Sequence, residues 1–224
     1  MTPRIAVVAA VRGRVDLLRT MLRSLFRTAD NAVDVVLRCD SDDAEMLKYL
    51  SGRAGPHFIG AGARFIVGPR MDGYTNLPAF ANEAARLSRG DLVLVVNDDA
   101  EFQTQGWDTK LLERAAQYPD GLFVLGVDTL NAGNFVFPCV SRRHIDLFGG
   151  VFDERVVYAD IWTRDVYAPF GRAIRVPEVR IDHHWQGMSA DQRRAVSQID
   201  HASYQRAVED GRARVRPMLE LVHG

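Results

Sequence analysis

The run Leu92-Val93-Leu94-Val95-Val96 leads straight into Asn97-Asp98-Asp99. Five consecutive apolar residues specify a strand covered on both faces. Two adjacent carboxylates at its end repel each other and lose solvation beside a core. Such a pair is tolerated where the strand end opens to water or where a cation neutralises it. Carboxylate oxygens suit a hard divalent cation, Mg2+ or Mn2+. Three other places offer related chemistry. Asp40 closes the apolar run 33–39. Asp160 ends the acid-bearing segment GGVFDERVVYAD (149–160), with Asp165 close behind. His183 and His184 end an extended stretch (173–185), where an imidazole can ligate a metal or, once protonated, donate to an anion. Neighbours in a strand face opposite sides, so one of the two serves a given site, and His183 is the candidate chosen.

The elements that must hold these residues alternate. IAVVAAV (5–11) reads as a buried strand. VDLLRTMLRSLF (15–26) follows with helical period, Leu18, Met21, Leu22 and Leu25 on one face and Arg19, Arg23 and Arg27 on another. Strands are expected at 33–39, 64–68, 92–96 and 122–127, and helices at 44–50, 78–87 and 106–118. This is a βαβα series, so the fold class is α/β, a Rossmann-like and mainly parallel sheet with helices on both faces. Sheets of this kind bind ligands at the carboxyl ends of their strands. Arg12, Asp40, Arg70 and Asn97-Asp98-Asp99 fall there. The carboxylates therefore lie on a binding edge.

Beyond residue 128 the pattern becomes a smaller region: a strand at 134–140, a short helix at 142–150, an acidic loop at 151–160, an extended segment at 173–185 broken by Pro177, and one polar helix at 191–211. Asp153 and Glu154 read as turn residues, and Trp107 as core. With no repeat and no Gly-, Pro- or Ser-rich linker, the chain reads as a single domain with a nucleotide-type half (1–127), an acceptor and catalytic half (128–188), and a C-terminal helix and tail (189–224).

Bulk properties exclude several classes. In 224 residues the net charge is −1, so no basic field draws the chain to nucleic acid or to an anionic membrane. Arg193/Arg194 and Arg212/Arg214/Arg216 read as solvated helix faces and a basic tail. Two cysteines, Cys39 and Cys139, are too few for a disulfide framework and lack metal-ligand spacing; each reads as a buried thiol. No stretch matches a targeting segment or a membrane span, and the expected compartment is the cytoplasm.

In the order CDSDD (39–43), VVNDDAEFQTQGW (95–107), GGVFDERVVYAD (149–160) and DHHW (182–185), the chain resembles GT-A fold glycosyltransferases of the inverting family 2 type, over roughly residues 4–185. The resemblance implies a nucleotide diphosphate sugar donor, a UDP-sugar by preference, and Mn2+ or Mg2+ as cofactor. It makes Asp99 a metal ligand, with His183 as a further one, and places Asp98 on the ribose or the metal. Asn97 stands where many relatives carry an acid. Asp40 would accept from the base, with Asp42 or Asp43 capping the following helix instead. Ala10, near the end of the first strand, would line the donor pocket. Arg70 and Asn76, in the loop and helix 70–84, would reach the donor; the alternatives are a solvated Arg70 and an Asn76 that caps the helix containing Pro78. Asp160 would be the general base that takes the acceptor proton. Relatives carry a Glu before this Asp, where Ala159 stands here. Trp185 is a candidate for stacking on a sugar.

Other classes fit less well. Nucleotidyl transfer to a sugar phosphate calls for a Gly-rich first loop, and VAAVRGRVD (8–16) has one Gly. A phosphatase with a nucleophilic Asp wants Asp-x-Asp after the first strand, where Arg12-Gly13-Arg14 stands. A sugar-nucleotide or glycan binding module without turnover is the non-enzyme alternative. The acceptor is a hydroxyl, on a glycan, a lipid-linked glycan, a protein or, as a minority option, hydroxymethylated DNA.

Overall fold

The computed structural model describes residues 5–52, 63–70, 74–129, 135–184 and 190–223. The alternation expected for the first half is present: β1 (Ile5–Val11), α1 (Val15–Thr28), β2 (Asp34–Asp40), α2 (Ala44–Ser51), β3 (Ala63–Gly68), α3 (Leu77–Leu87), β4 (Leu92–Val95), β5 (Ala100–Phe102), α4 (Trp107–Ala115) and β6 (Val124–Asp128). The second region adds β7 (Pro138–Ser141), α5 (Arg142–Phe148), α6 (Ala159–Tyr167), β8 (Ala173–His183), α7 (Ala190–Ser197) and α8 (His201–His223).

These strands form one eight-stranded sheet in the order β3-β2-β1-β4-β7-β6-β8-β5. β1 pairs in parallel with β2 and β4, and β2 with β3. β7 runs antiparallel to β4 and β6, and β5 antiparallel to β8, so the sheet is mixed beyond β4. The period of two along β1 divides the core. Ile5, Val7, Ala9 and Val11 pack with α1, α2 and α4; Ala6 and Val8 pack with α3, α6 and α8. Both faces are buried, which is why the strand reads as an unbroken apolar run. Trp107 is fully buried in the first layer and both cysteines are buried free thiols, as expected. Burial raises Cys39 to about 11 and Cys139 to about 12.

Four expectations are corrected. The segment after Asn97-Asp98-Asp99 contains a short strand, β5, that the apolar pattern did not mark. The acidic loop stops at Tyr158, and Asp160 stands in the first turn of a helix, α6. Pro177 does not break β8: the register between β6 and β8 jumps after Val127, pairing it with Val176 and Asp128 with Arg180. A bulge of this kind takes a residue that cannot donate to the ladder. The single polar helix is two, α7 and α8, and the second continues through Gly211 and Pro217, so the basic tail is helical. Gly211 lets α8 approach α6, since a Cβ there would lie 2.5 Å from Val166 Cγ2 and 3.3 Å from Trp162.

Candidate active site at the carboxyl edge of the sheet

β1 ends at Val11, and the loop Arg12-Gly13-Arg14 turns into α1. Gly13 takes a positive φ of 64°, which most side chains resist, and its N–H donates to Asp43 at 2.7 Å. Asp43 also caps α2 by accepting from Met46 N at 3.0 Å. The turn sends its two arginines to different acids. Arg12 pairs with Asp40 at 2.8 Å and Asp42 at 2.6 Å. Arg14 reaches the end of β4: its guanidinium holds both oxygens of Asp98, the Nε bond at 3.1 Å, and donates Nη1 to Asp99 Oδ2 at 3.1 Å. The repulsion between adjacent acids is thus relieved by an arginine. Its signal in the sequence was the unusual Arg-Gly-Arg after the first strand.

Asn97 O accepts from Ala100 N at 3.1 Å, closing a tight turn that leads into β5. β5 pairs with the end of β8, Ala100 opposite His183. This pairing brings His183 beside the acids. Its Nε2 lies 3.3 Å from Asp99 Oδ1 and 3.2 Å from Asn97 Nδ2. Asp99 Oδ1 and His183 Nδ1 are nonetheless buried without a hydrogen-bond partner. His184 turns away, its Nε2 2.7 Å from Glu101 Oε2, while its N–H donates to Asp99 O at 3.0 Å. The alternation along the strand thus puts His183, not His184, next to Asp99.

Burial pushes Asp98 up to about 6 against the pull of Arg14. Burial acts on Asp99 in the same sense, but His183 and Arg14 outweigh it and hold that carboxyl below its ordinary value. Two neighbouring acids with pKa values pushed apart are a common feature of chemical sites. Asp160, in the first turn of α6, is raised by desolvation, opposed first by the backbone N–H groups of Ile161 and Asp160 and then by the charges of Arg164 and His183. α6 packs against β7 and β8, and the charge of His183 is felt at Asp160.

Asp40 is gripped from two sides: Arg12 takes one oxygen and the buried Arg38 the other. Arg38 also donates to Glu83 at 3.2 Å and lies 4.1 Å over the Phe80 ring. Arg70 sits 3.5 Å from Asp42. Asn76 occupies the N-cap position of α3 without a capping hydrogen bond from its side chain, with Pro78 in the first turn. Ala10 is partly buried and pairs in register with Arg38. Asp165 is tied to the C-terminal helix: Tyr204 Oη donates to it at 2.9 Å, and Arg164 pairs with it at 2.7 Å. Asp153 pairs with Arg155 at 2.6 Å, as a turn acid does. Trp185 lies outside the described residues, as do residues 71–73. A cleft of about 260 Å³ opens elsewhere, lined by Asn82, Phe148, Trp162, Arg155, Asp210 and Arg214 among others; none of the edge acids lines it.

The residues fit a divalent cation in part. Among the described residues no group of three or more His, Cys, Asp or Glu side chains is placed to hold a metal. Asp99 and His183 form a two-ligand pair, and the orphaned Asp99 oxygen faces it. With its proton on Nδ1, His183 presents the Nε2 lone pair on that side, the form that binds a cation. Mg2+-type ions are commonly held by one or two carboxylates, with substrate phosphates and waters completing the shell.

Solved structures with this architecture have been found. A mannosyltransferase from Pyrobaculum calidifontis, PcManGT, solved with GDP-Man and Mn2+, superposes with a TM-score of 0.70 at 13% identity, over 100% of this chain and 76% of its own. S. aureus TarS superposes as a fragment, residues 1–349, with a TM-score of 0.56 at 13% identity, over 80% of this chain and 60% of the fragment. A longer TarS structure gives 0.58 at 12% identity, over 94% of this chain and 43% of its own. The chain therefore has the GT-A-like, Rossmann-type fold of these glycosyltransferases. No family model matches the sequence, and no curated protein sequence does. Among the described residues no helix is long and apolar enough to cross a membrane.

Proposed function

We propose that this protein is a metal-dependent, inverting glycosyltransferase that moves a sugar from a nucleotide diphosphate sugar to an acceptor hydroxyl. The observation that carries the reading is the grouping of Asp98–Asp99 with His183 at the carboxyl edge of the sheet, where this fold class binds ligands; Asp160 joins it from the sequence resemblance and its place in the first turn of α6. The likeness to a mannosyltransferase solved with GDP-Man and Mn2+ supports it. The domain division follows: strands β1 to β4 and their loops bind the donor, and the region from residue 128 onward shapes the acceptor side.

In this reading Asp99 and His183 hold Mn2+ or Mg2+, and Asp98 orients the ribose or shares the ion. A bound divalent cation supplies charge neutralisation to the departing diphosphate. Asp160 accepts the proton of the acceptor hydroxyl as its oxygen attacks the anomeric carbon from the face opposite the leaving group. A carboxylate raised by desolvation is a stronger proton acceptor than an exposed one. Asp40, Arg12 and Arg70 line the side where the base of the nucleotide lies, with Ala10 and Asn76 at its border. A UDP donor follows from the sequence resemblance. A GDP donor is the second reading, favoured by the ligand of PcManGT.

The experiment is a thermal-shift series with UDP, GDP, dTDP and CMP, each with Mn2+ and with EDTA. A ligand bound only by the native state raises its melting temperature. One nucleoside diphosphate is expected to stabilise only with metal, and Asp99→Asn to remove that effect. A flat response to every nucleotide in both conditions would falsify the donor-site reading.

A further inference from the structure

Arg14 stands where the proposed chemistry leaves no room for it. Its guanidinium bonds both oxygens of Asp98 and one of Asp99, so the acid pair already has a cation. Asp98 and Asp99 are almost fully buried, whereas the Arg14 side chain is 49% exposed. The acids are fixed at the turn between β4 and β5. The arginine stands at the N-cap of α1, after a glycine whose N–H is tied to Asp43, so its freedom to leave lies in the half-exposed side chain. One partner is anchored and the other can leave. A guanidinium also matches phosphate oxygens in the same forked geometry that it uses on carboxylates.

We propose that Arg14 is a resident counter-ion, exchanged when the donor arrives: it holds Asp98 and Asp99 together while the site is empty, gives way to the divalent cation, and re-pairs with the diphosphate that the cation brings. The inference rests on the donor-site reading above. It assigns to this chain a competition between an arginine and a metal for one acid pair. Each charge keeps a partner: the acid pair exchanges a monovalent cation for a divalent one, and the arginine exchanges carboxylates for the diphosphate that offsets the added charge. Metal alone therefore binds weakly, because it must displace a guanidinium that then has water but no anion to pair with. Metal with a nucleoside diphosphate binds well, because the displaced arginine gains a partner.

The test measures Mn2+ binding by electron paramagnetic resonance, without nucleotide and then with UDP or GDP. Wild type, Arg14→Ala, Arg14→Lys and Asp99→Asn are compared, with far-ultraviolet circular dichroism to confirm folding. Hydrogen bonds to charged groups contribute enough that Arg14→Ala should bind Mn2+ alone about tenfold more tightly than wild type. The same variant should bind the Mn2+–diphosphate pair about tenfold more weakly. Arg14→Lys, a point charge that cannot fork across both acids, should fall between. Arg14→Ala binding Mn2+ alone no more tightly than wild type, while wild type still takes up the metal with diphosphate, overturns the exchange and leaves the donor site standing. If no protein binds Mn2+, with or without diphosphate, both the exchange and the donor-site reading fall.

Discussion

Two histidines lie on opposite sides of the sheet and are treated in opposite ways. His144, on the layer formed by α3, α5, α6 and α8, is fully buried; Tyr167 Oη lies 2.9 Å from its Nδ1 and Val151 O 3.0 Å from its Nε2. Both ring nitrogens are engaged, and burial lowers its pKa to about 4. His183, at the carboxyl edge, keeps a buried nitrogen without a partner and faces an acid oxygen in the same condition. The same contrast separates the regions around them. On the His144 layer Asn82 accepts from Phe152 N and donates to Phe152 O, both at 2.9 Å, and Trp162 Nε1 donates to Ala207 O at 3.0 Å. A buried polar group left unmatched costs free energy; among the described residues the unmatched ones are Asp99 and His183, with Tyr49 and Thr129 elsewhere, and the Asp99–His183 pair is the one the proposed donor site uses.

Substitutions should therefore divide cleanly, chemistry on one side and stability on the other. The largest effect belongs to Asp160→Asn. Removal of a general base is expected to lower sugar transfer by about 10² to 10⁴-fold, with nucleotide-induced stabilisation unchanged. Full transfer by this variant would move the base elsewhere. Trp162→Ala tests the other layer: truncating a buried aromatic costs about 3–5 kcal/mol. Chemical denaturation should show that loss, and a variant as stable as wild type would mean that α6 and α8 do not depend on this side chain.

A pH experiment sharpens the comparison further. His144 is neutral in the fold and takes a proton freely once unfolded, near its ordinary value of 6.5. Its contribution is complete above that value and is lost as pH falls toward about 4, amounting to about 3 kcal/mol. Asp98, raised to about 6, acts in the opposite sense over the same window, so the observable is the difference between wild type and His144→Gln. That difference should shrink as pH drops from 7 to 4.5; a constant gap would rule out a buried neutral imidazole. The smallest effect is that of Asp165→Asn, because Asp165 faces Tyr204 and Arg164. It should cost about 1 kcal/mol and leave transfer within twofold (about the resolution of a rate assay at this scale). A loss as large as that of Asp160→Asn would exchange their roles.

Much of the first half was legible because its strands are buried on both faces. Runs such as Ile5–Val11 and Leu92–Val96 announce themselves by composition alone, and their polar ends mark the edge. Asp99 beside His183 was within reach for the same reason, since each ends an extended run. Arg14 showed only as part of Arg12-Gly13-Arg14; which acids it meets did not, because a loop arginine carries no periodicity and its partners lie far along the chain. β5 escaped notice as three residues, Ala-Glu-Phe, too few for a pattern to show. The helix at Asp160 was hidden by the acidic loop before it. The continuity of β8 was masked by Pro177, whose lost donor matters less at a bulge than in a regular ladder.

β8 pairs in parallel with β6 over its first half and antiparallel with β5 over its last three residues. One strand thus joins the middle of the sheet to the turn that carries the acids. Non-local strand pairing forms only after the entropy of closing a long loop has been met. The β5–β8 pairing (Ala100 with His183) closes a loop about as long as the β1–β4 pairing (Ile5 with Leu92), so Asp99 and His183 meet only once β8 has docked. In the proposed reading, competence to bind a cation would report finished folding: a chain with native helices and an undocked β8 would carry Asp99 but not His183 beside it.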